Sequence, residues 1–246
     1  MRLVSVILPT YNEAENIIPL IKAIQKEIRI PKEIIVVDDN SPDGTSKLVQ
    51  KYQAKFNNNV HLITRYKNRG LTNSIRDGIK SSKGDVVVWM DCDFSHPPIL
   101  INKLLEKINE GHDIAVASRF IKNGGFKQEK GENILAIGLS KAMNYTIQFL
   151  LGRHFGDYTS GFVATKKNVF RKIKLRGDYG EYFIDFIYKA FAYKYKVIEI
   201  PFINLPRTKG KSKTGNNLYE YLMRGRKYML LSFQLLIEKH LLKKIP

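Results

Sequence analysis

Short apolar runs alternate with amphipathic segments through the first half of the chain. The runs are rich in valine and isoleucine and stop at polar turns, which is typical of strands buried on both faces of a sheet. The segments between them repeat apolar residues at helical spacing, so each predicts a helix with one inner face. The predicted strands are LVSVILP, EIIVV, NVHLITR, DVVVWMD and DIAVASR. The later predicted helices cover SKLVQKYQAKF, GLTNSIRDGIKSSKG and PPILINKLLEKINEG.

The first helix is expected directly after the first strand. Asn12 is predicted to cap it, with Glu15 three residues later completing a capping box. Its predicted inner face consists of Ile17, Leu20, Ile21 and Ile24. Strand and helix therefore alternate from the first residue. This alternation predicts an α/β fold in which helices flank a mostly parallel, twisted sheet.

Charged residues cluster where the predicted strands end. Ligands of a parallel sheet bind at the carboxyl ends of its strands, because the loops there converge on one edge. The charged residues at this edge are Glu13, Asp38, Asp39, Asp91, Asp93 and Arg119. Their shared position predicts a binding site.

The second half of the chain is less regular. Residues 134–151 repeat apolar side chains every four positions, at Leu135, Leu139, Met143 and Ile147. A strand-like VIEIPF and a basic loop, RTKGKSKTGNN, precede a final apolar and basic helical stretch. The composition changes near Gly215, so we predict one domain over residues 1–215 and a basic amphipathic helical extension over residues 216–246.

Two aspartates end the most apolar strand. Asp91 and Asp93 are one residue apart, so in a turn their carboxylates can converge on one divalent cation. Mg²⁺ or Mn²⁺ prefers such oxygen ligands and shares the phosphates of a substrate. Strand alternation sends Cys92 to the opposite face, which disfavours zinc and leaves His96 a structural role. The alternative is a turn that only caps the next helix.

Asp38 and Asp39 end a second buried strand. A carboxylate in this position suits a nucleoside, because it accepts hydrogen bonds from base N–H or ribose hydroxyl groups. Neither G-x-G-x-x-G nor G-x-x-x-x-G-K-S/T follows a strand, which argues against a dinucleotide oxidoreductase and a P-loop ATPase.

Composition and charge limit the classes of binding partner. The chain has 246 residues, which is enough for one large domain or two small ones. Hydrophobic residues make up 43% of the chain. Lys and Arg number 41 and Asp and Glu number 23, which gives a net charge of +18. Such a charge favours binding to nucleic acid, anionic lipid or phosphorylated substrates. The alternative is a lysine-rich surface that binds no polyanion. A single cysteine excludes an internal disulfide. We find no signal peptide and no membrane-spanning stretch, and we expect a peripheral protein on the cytoplasmic face of a membrane.

Six motifs occur along the chain in an order that is found in a known protein family. They are VSVILPTYNEAENI, IIVVDDNSPDGT, MDCDFSHPP, ASRF, DYTSGFVATKK and RTKGKSKTG. Together they resemble the family-2 inverting glycosyltransferases with the Rossmann-like GT-A fold. Within that group the chain looks most like the dolichyl-phosphate (polyprenyl-phosphate) mannose synthases, over about residues 3–225.

The resemblance implies a role for each matched residue. For the donor nucleoside it implies Pro9, Tyr11, Glu13 and Asp39. For the metal on the diphosphate it implies Asp91, Asp93 and, as a weaker ligand, Ser95. For the phosphates near the reacting centre it implies Arg119, Arg207 and Lys213, and for the sugar or acceptor pocket Ser160 and Gly161. Asp93, Arg119 and Arg207 would be the catalytic residues.

Two departures from the family pattern bear on the acceptor. The family usually carries an arginine or an arginine–lysine pair before SKAMN, whereas no basic residue lies between Lys130 and Lys141 here. Lys127, Lys130 or another group would then serve the acceptor phosphate. The family's acid in the helix after Gly180 aligns with Phe186, one place from Asp185. The sugar and the acceptor therefore stay open.

The implied reaction transfers mannose from GDP-mannose to dolichyl or polyprenyl phosphate with inversion. A lipid monophosphate is largely dianionic at neutral pH and needs no general base, but it needs cations. The candidates are Arg119, Arg207, Lys209, Lys211 and Lys213. The alternatives are another hexose, such as glucose from UDP-glucose, a nucleic-acid-binding protein, and a non-catalytic scaffold. Nucleic acid is disfavoured because no binding motif occurs and the acidic edge would repel phosphate.

A polyprenyl substrate requires contact with a membrane. The segment 134–151 is interrupted by Lys141, Asn144 and Gln148 and fits an interfacial helix better than a span. The C-terminal stretch combines Leu222, Met229, Phe233, Leu236 and Ile237 with Arg224, Arg226, Lys227, Lys239, Lys243 and Lys244. Such a helix suits anionic headgroups, with core packing as the alternative. Docking alone and docking through a membrane-anchored protein partner both stay open.

Overall fold

The structure, a computed structural model, describes residues 3–56, 59–127, 134–152, 154–209 and 218–240. Its strands are β1 Val4–Thr10, β2 Lys32–Asp38, β3 Val60–Thr64, β4 Val86–Trp89, β5 Ile114–Ser118, β6 Gly125–Phe126, β7 Val163–Lys166, β8 Val197–Pro201 and β9 Ile203–Asn204. Seven strands form the main sheet in the order β3-β2-β1-β4-β7-β5-β8, and β6 pairs with β9 separately. The five strands predicted for the first half are confirmed.

Helices cover both faces of the sheet. They are α1 Ile17–Glu27, α2 Thr45–Phe56, α3 Leu71–Ser81, α4 Leu100–Asn109, α5 Ile134–Leu151, α6 Glu181–Ala192 and α7 Leu218–His240, with a short 3₁₀ helix at Lys167–Arg171. The apolar sides of α1, α2 and α4 share one core with one face of the sheet. The other face packs against α3, α5, α6 and α7. The predicted α/β fold with a mostly parallel sheet is confirmed.

One strand runs against the others. β7 is antiparallel to both β4 and β5, with Val163 opposite Trp89 on one side and Val116 on the other. The chain therefore enters β7 at the edge where β4 and β5 end. This reversal delivers the loop before β7, residues 156–162, to the carboxyl edge of the sheet.

The predicted start of the first helix was wrong. α1 begins at Ile17, with Asn16 at the N-cap position, and Asn12 lies in a turn with φ of 55°. The neighbouring loop after β2 determines this turn, because the Asn12 N–H donates to Ser41 Oγ over 2.9 Å. The Glu13 carbonyl accepts the N–H groups of Asn16 and Ile17 instead. The predicted inner face, Ile17 to Ile24, is fully buried.

The C-terminal helix packs on the domain. Leu235 of α7 is fully buried in the core that α6 shares. Near the end of α7, Glu238 pairs with Arg176 over 2.9 Å. Arg176 also pairs with Asp185, which is buried and pairs with Lys189 as well, so Asp185 has a structural role. The boundary predicted at residue 215 falls in residues 210–217, outside the described residues, and stays a prediction.

Candidate functional site

Three neighbouring parallel strands end at the same edge and supply the acidic residues of the site. β1 lies between β2 and β4. Glu13 follows β1, Asp39 follows β2, and Asp93 follows β4. All three are buried, with at most 7% of each residue exposed. Burying carboxylates is costly unless each one is paired, so their partners organise the site.

A single guanidinium joins two of these acids. Arg207 Nη1 lies 3.3 Å from Glu13 Oε1, and Arg207 Nη2 lies 2.7 Å from Asp93 Oδ2. Burial alone would raise the pKa of Asp93, but Arg207 and two hydrogen bonds from Ser95 lower it below its ordinary value. Asp93 is therefore held as a carboxylate. The structure thus brings Glu13 and Asp93, two of the acids predicted to share this edge, to one guanidinium.

The loop after β4 has a strained conformation. Ser95 donates its N–H to Asp93 Oδ1 over 2.9 Å and its hydroxyl to the same oxygen over 2.6 Å. Between them Phe94 adopts a φ of 66°, which a bulky residue rarely does. Such strain persists only where the surrounding structure imposes it, and it is common at functional sites. The loop fixes the direction of the Asp93 carboxylate.

Asp91 is the accessible member of the pair. Its side chain is 52% exposed, and its carboxylate lies 3.9 Å from His96 Nε2. The other His96 nitrogen, Nδ1, accepts the Asp91 N–H over 3.0 Å. Burial lowers the pKa of His96 despite the nearby acids, and its ring stacks on Phe162 at 5.0 Å. As predicted, His96 supports the loop.

The donor set fits a hard divalent cation that is shared with a substrate. Within the described residues, no three His, Cys, Asp or Glu side chains are grouped as a complete protein-only metal site. Asp91 and Asp93 supply two carboxylates at one turn, which suits Mg²⁺ or Mn²⁺, ions that keep waters and bind phosphates. Cys92 is buried in the core and contacts the Pro9 carbonyl, so it faces away, as predicted.

Asp39 is held by an arginine that the sequence analysis missed. Arg65 Nη1 donates to Asp39 Oδ1 over 2.7 Å, and its Nε donates to Asp77 over the same distance. Ser74 and the N–H of Gly70 also donate to Asp39. Arg65 ends the predicted strand NVHLITR, at the same edge as the acids. A basic residue at that edge was the available signal.

Arg119 is held just as firmly. Its Nε and Nη2 donate to the two oxygens of Asp157 over 2.8 and 2.9 Å, and Nη2 also donates to Thr159. Burial alone would raise the pKa of Asp157, but Arg119 lowers it below the ordinary value. Asp157 was missed by the sequence analysis, although it opens the DYTSGF motif. Arg119 lines a cavity of about 250 Å³ together with Lys141 and Tyr145 of α5.

The remaining predicted residues have mixed surroundings. The Ser160 hydroxyl donates to the Ala117 carbonyl over 2.7 Å, so it supports the backbone. Gly161 faces the site, since a Cβ added there would lie 3.8 Å from Asp91 Oδ1. Tyr11 is 42% exposed beside the end of β1, and Pro9 is half-buried within β1. Their roles toward a ligand stay predictions.

The basic loop is anchored beside the two acidic turns. The N–H groups of Leu205 and Thr208 donate to the carbonyls of Ser95 and Asp93, both over 3.0 Å. Lys209 Nζ lies 4.0 Å from Glu15. Lys211 and Lys213, like Lys130, fall outside the described residues, and their predicted phosphate contacts stay predictions.

Comparison with known proteins places these features in a family. The family model described as "Glycosyl transferase family 2" matches residues 5–174. A dolichol-phosphate mannosyltransferase from Pyrococcus furiosus is 38% identical over 222 residues, which are 89% of this chain and 61% of that protein. A polyprenol monophosphomannose synthase from Mycolicibacterium smegmatis is 34% identical over 226 residues, 89% of this chain and 84% of that protein. The chain thus spans about three fifths of the Pyrococcus relative.

Solved structures share the fold. Glucosyl-3-phosphoglycerate synthase from Mycobacterium tuberculosis, in complex with Mn²⁺, UDP-glucose and phosphoglyceric acid, aligns with a TM-score of 0.70 at 16% identity, over 95% of this chain and 79% of that chain. The same enzyme with Mg²⁺ and UDP aligns with a TM-score of 0.68 at 17% identity, over 100% of this chain and 80% of that chain. This likeness establishes the arrangement of the sheet and helices.

Proposed function

The chain belongs to glycosyl transferase family 2, and on that premise we propose that it transfers mannose from GDP-mannose to a polyprenyl phosphate, with inversion at the anomeric carbon. One observation carries the proposal: Arg207 spans Glu13 and Asp93, which joins the predicted nucleoside side of the edge to the predicted metal side. The names of the Pyrococcus and Mycolicibacterium relatives support the sugar and the acceptor class.

The protein supplies charge and orientation. Glu13 and Asp39 would hold the nucleoside, and the ion pair with Arg65 orients the Asp39 carboxylate for that task. Arg207, which contacts two carboxylates, would turn toward the donor diphosphate as it enters. Arginine forks bind phosphate through paired hydrogen bonds, which suits this exchange of partners.

Arg119 would meet the acceptor phosphate. Its Nε and Nη2 donate to Asp157 and Thr159, so the guanidinium is held in place beside the neighbouring cavity, which Arg119 lines. A dianionic lipid phosphate is nucleophilic without a base, so we assign no catalytic base. Held opposite the departing diphosphate, it would attack the anomeric carbon in line.

Asp91, Asp93 and, as a weaker ligand, Ser95 would hold the divalent cation. When bound, such an ion neutralises the charge that develops on the leaving nucleoside diphosphate. Ser95 donates its hydroxyl proton to Asp93, so the free lone pairs of its oxygen stay available to a ligand or a water. Mg²⁺ and Mn²⁺ are the ions proposed.

A polyprenyl phosphate acceptor would bring the protein to a membrane surface. Across the described part of the chain, the helices are too short or too polar to span a bilayer. Exposed apolar side chains instead mark the outer sides of α5 and α7: Tyr145, Phe149, Met223, Leu230, Phe233 and Ile237. Arg226, Lys227 and Lys239 are exposed on α7. Apolar side chains mixed with cations favour an interface with anionic lipid.

The Phe149→Asp variant is expected to weaken binding to vesicles that contain anionic lipid. Phe149 is 74% exposed, so its replacement removes a membrane contact without opening the core. Removing an aromatic side chain that would insert into the lipid, and adding one negative charge, should reduce partitioning to the vesicles by about 10-fold or more. Co-sedimentation with vesicles measures the change.

Phe56→Asp is the matched control, because Phe56 is 50% exposed at the end of α2, on the other face of the sheet. Equal loss in both variants, or none in either, would contradict docking through α5.

Incubating the protein with labelled GDP-mannose, membranes and Mg²⁺ or Mn²⁺ tests the reaction. We expect a mannose label that extracts into organic solvent and depends on the cation and on added polyprenyl phosphate. UDP-glucose, offered in parallel, should give less lipid product. A label found only in water-soluble products would reject the acceptor, and preferred use of UDP-glucose would reject the sugar.

A further inference from the structure

The turn that holds Arg119 is itself fastened to the helix that lines the same cavity. Residues 156–158 connect α5 to β7 on the way to the site. The Asp157 side chain grips Arg119, and the backbone atoms on either side of Asp157 are bonded to α5. Arg119 and α5 also border one cavity of about 250 Å³. The bonds between α5 and this turn therefore hold Arg119 in place relative to the cavity.

Asn144 makes the link. It lies on the inner side of α5 and is 1% exposed. Its Oδ1 accepts the Tyr158 N–H over 2.9 Å, and its Nδ2 donates to the Gly156 carbonyl. Gln148, one turn later, donates to the same carbonyl over 2.7 Å. One amide thus bonds the residues on both sides of Asp157.

A buried asparagine is costly unless its hydrogen bonds are made. Asn144 lies between Met143 and Tyr145 at a buried position of α5, where an aliphatic residue would pack more favourably. The Asn144 amide uses both its donor and its acceptor on one turn. Its hydrogen bonds therefore orient that turn, whereas an apolar side chain would only fill space. β8 supports the same turn, because Glu199 accepts the N–H groups of Gly156 and Asp157 over 2.6 and 3.1 Å.

From these contacts we propose that Asn144 is a positioning residue for the acceptor phosphate: it sets the Gly156–Tyr158 turn so that Asp157 aims Arg119 into the cavity beside α5. This inference rests on the proposed function. It explains how the chain orients a single guanidinium there although the basic pair usual before SKAMN is absent. A ligand that moves α5 would move Arg119 through the same bonds.

The test compares binding and kinetics in Asn144→Ala with the wild type. Losing the link lets Arg119 drift, and small misplacements of a binding group cost up to about 100-fold in rate. We expect the Kd for farnesyl phosphate, measured by calorimetry, and the KM for the lipid phosphate to rise about 10-fold or more. The Kd for GDP and the KM for the sugar nucleotide should not change. Thr146→Ala is the control, since Thr146 is exposed and bonds only within α5.

A double-mutant cycle with Arg119→Ala separates positioning from general support. If Asn144 acts through Arg119, adding Asn144→Ala to Arg119→Ala should not weaken farnesyl phosphate binding further. An undiminished effect in that background, or wild-type binding by a folded Asn144→Ala protein, would overturn the proposal. If Asn144→Ala does not fold, Gln148→Ala serves as the second variant, because it removes one donor to Gly156. It should weaken farnesyl phosphate binding by a smaller factor and leave GDP binding unchanged. Unchanged farnesyl phosphate binding in Gln148→Ala would count against the proposal. A wild-type protein that binds no lipid phosphate would reject the proposed function along with it.

Discussion

Replacing Asp93 by asparagine is expected to lower sugar transfer at least ~100-fold, since even the outer partners of metal ligands cost roughly 10–100-fold. Asparagine can keep the two hydrogen bonds that Ser95 donates to Oδ1. It replaces Oδ2, 2.7 Å from Arg207 Nη2, with an amide nitrogen that cannot accept from Arg207. The variant thus loses the charge that would hold the cation and the partner that orients Arg207. Initial rates with labelled donor at saturating Mg²⁺ or Mn²⁺ measure the loss.

The matched control lies on the same strand. Asp85 is exposed just before β4, at the opposite end from Asp93, and Asp85→Asn should transfer at the wild-type rate. Thermal melting establishes that both variants are folded. Asp91→Asn should lose activity as well, with less effect on stability, because Asp91 is half exposed. Wild-type activity in folded Asp93→Asn would remove the basis of the metal site, whereas a wild-type protein that transfers no sugar would favour the non-catalytic scaffold.

Removing Asp157 is expected to cost both stability and activity. Asp157 is fully buried, and Arg119, 15% exposed at its side chain, would be left without its partner. Breaking a buried ion pair from one side typically costs about 3–5 kcal/mol in the free energy of unfolding. We therefore expect Asp157→Ala to unfold at markedly lower urea concentration and to bind lipid phosphate poorly.

The pH dependence of stability supplies a second measurement on Asp157. Arg119 lowers the folded-state pKa of Asp157, so the pair's stabilisation is complete above the unfolded pKa of about 3.9 and is lost as pH falls through the lower folded value. Asp157→Ala should accordingly lose less stability than the wild type on acidification below about pH 4.

Asp178→Ala is the control for Asp157→Ala, because Asp178 forms an exposed pair with Lys227. It should change the free energy of unfolding by no more than about 0.5 kcal/mol. An equally small change in Asp157→Ala would show that the buried pair does not hold Arg119.

Much of the site was predictable because its position follows from local pattern. Buried strands and amphipathic helices show in the spacing of apolar residues, and parallel strands must end at one edge. Glu13, Asp39 and Asp93 could therefore be assigned to that edge before any contact was known. The start of α1 was misjudged because the Asn12 turn bonds to Ser41, 29 residues away in the chain.

The partners of the site residues were not predictable in the same way. Arg65 reaches Asp39 across 26 residues, Arg119 reaches Asp157 across 38, and Arg207 reaches Glu13 across 194. No periodic pattern encodes such pairs, because each depends on which strands become neighbours. The antiparallel insertion of β7 is one example, because it brings Asp157 to the edge where Arg119 follows β5.

By itself the sequence determined the fold class, the acidic edge and the residue types available there, since hydrophobic spacing and strand endings are local properties of the chain. The tertiary structure alone decided which charge meets which. Arg207 joins Glu13 to Asp93, Arg65 steadies Asp39, and Asn144 ties α5 to the turn that holds Arg119. Buried charges and amides are stable only with partners at hydrogen-bond distance, and folding is what brings those partners together.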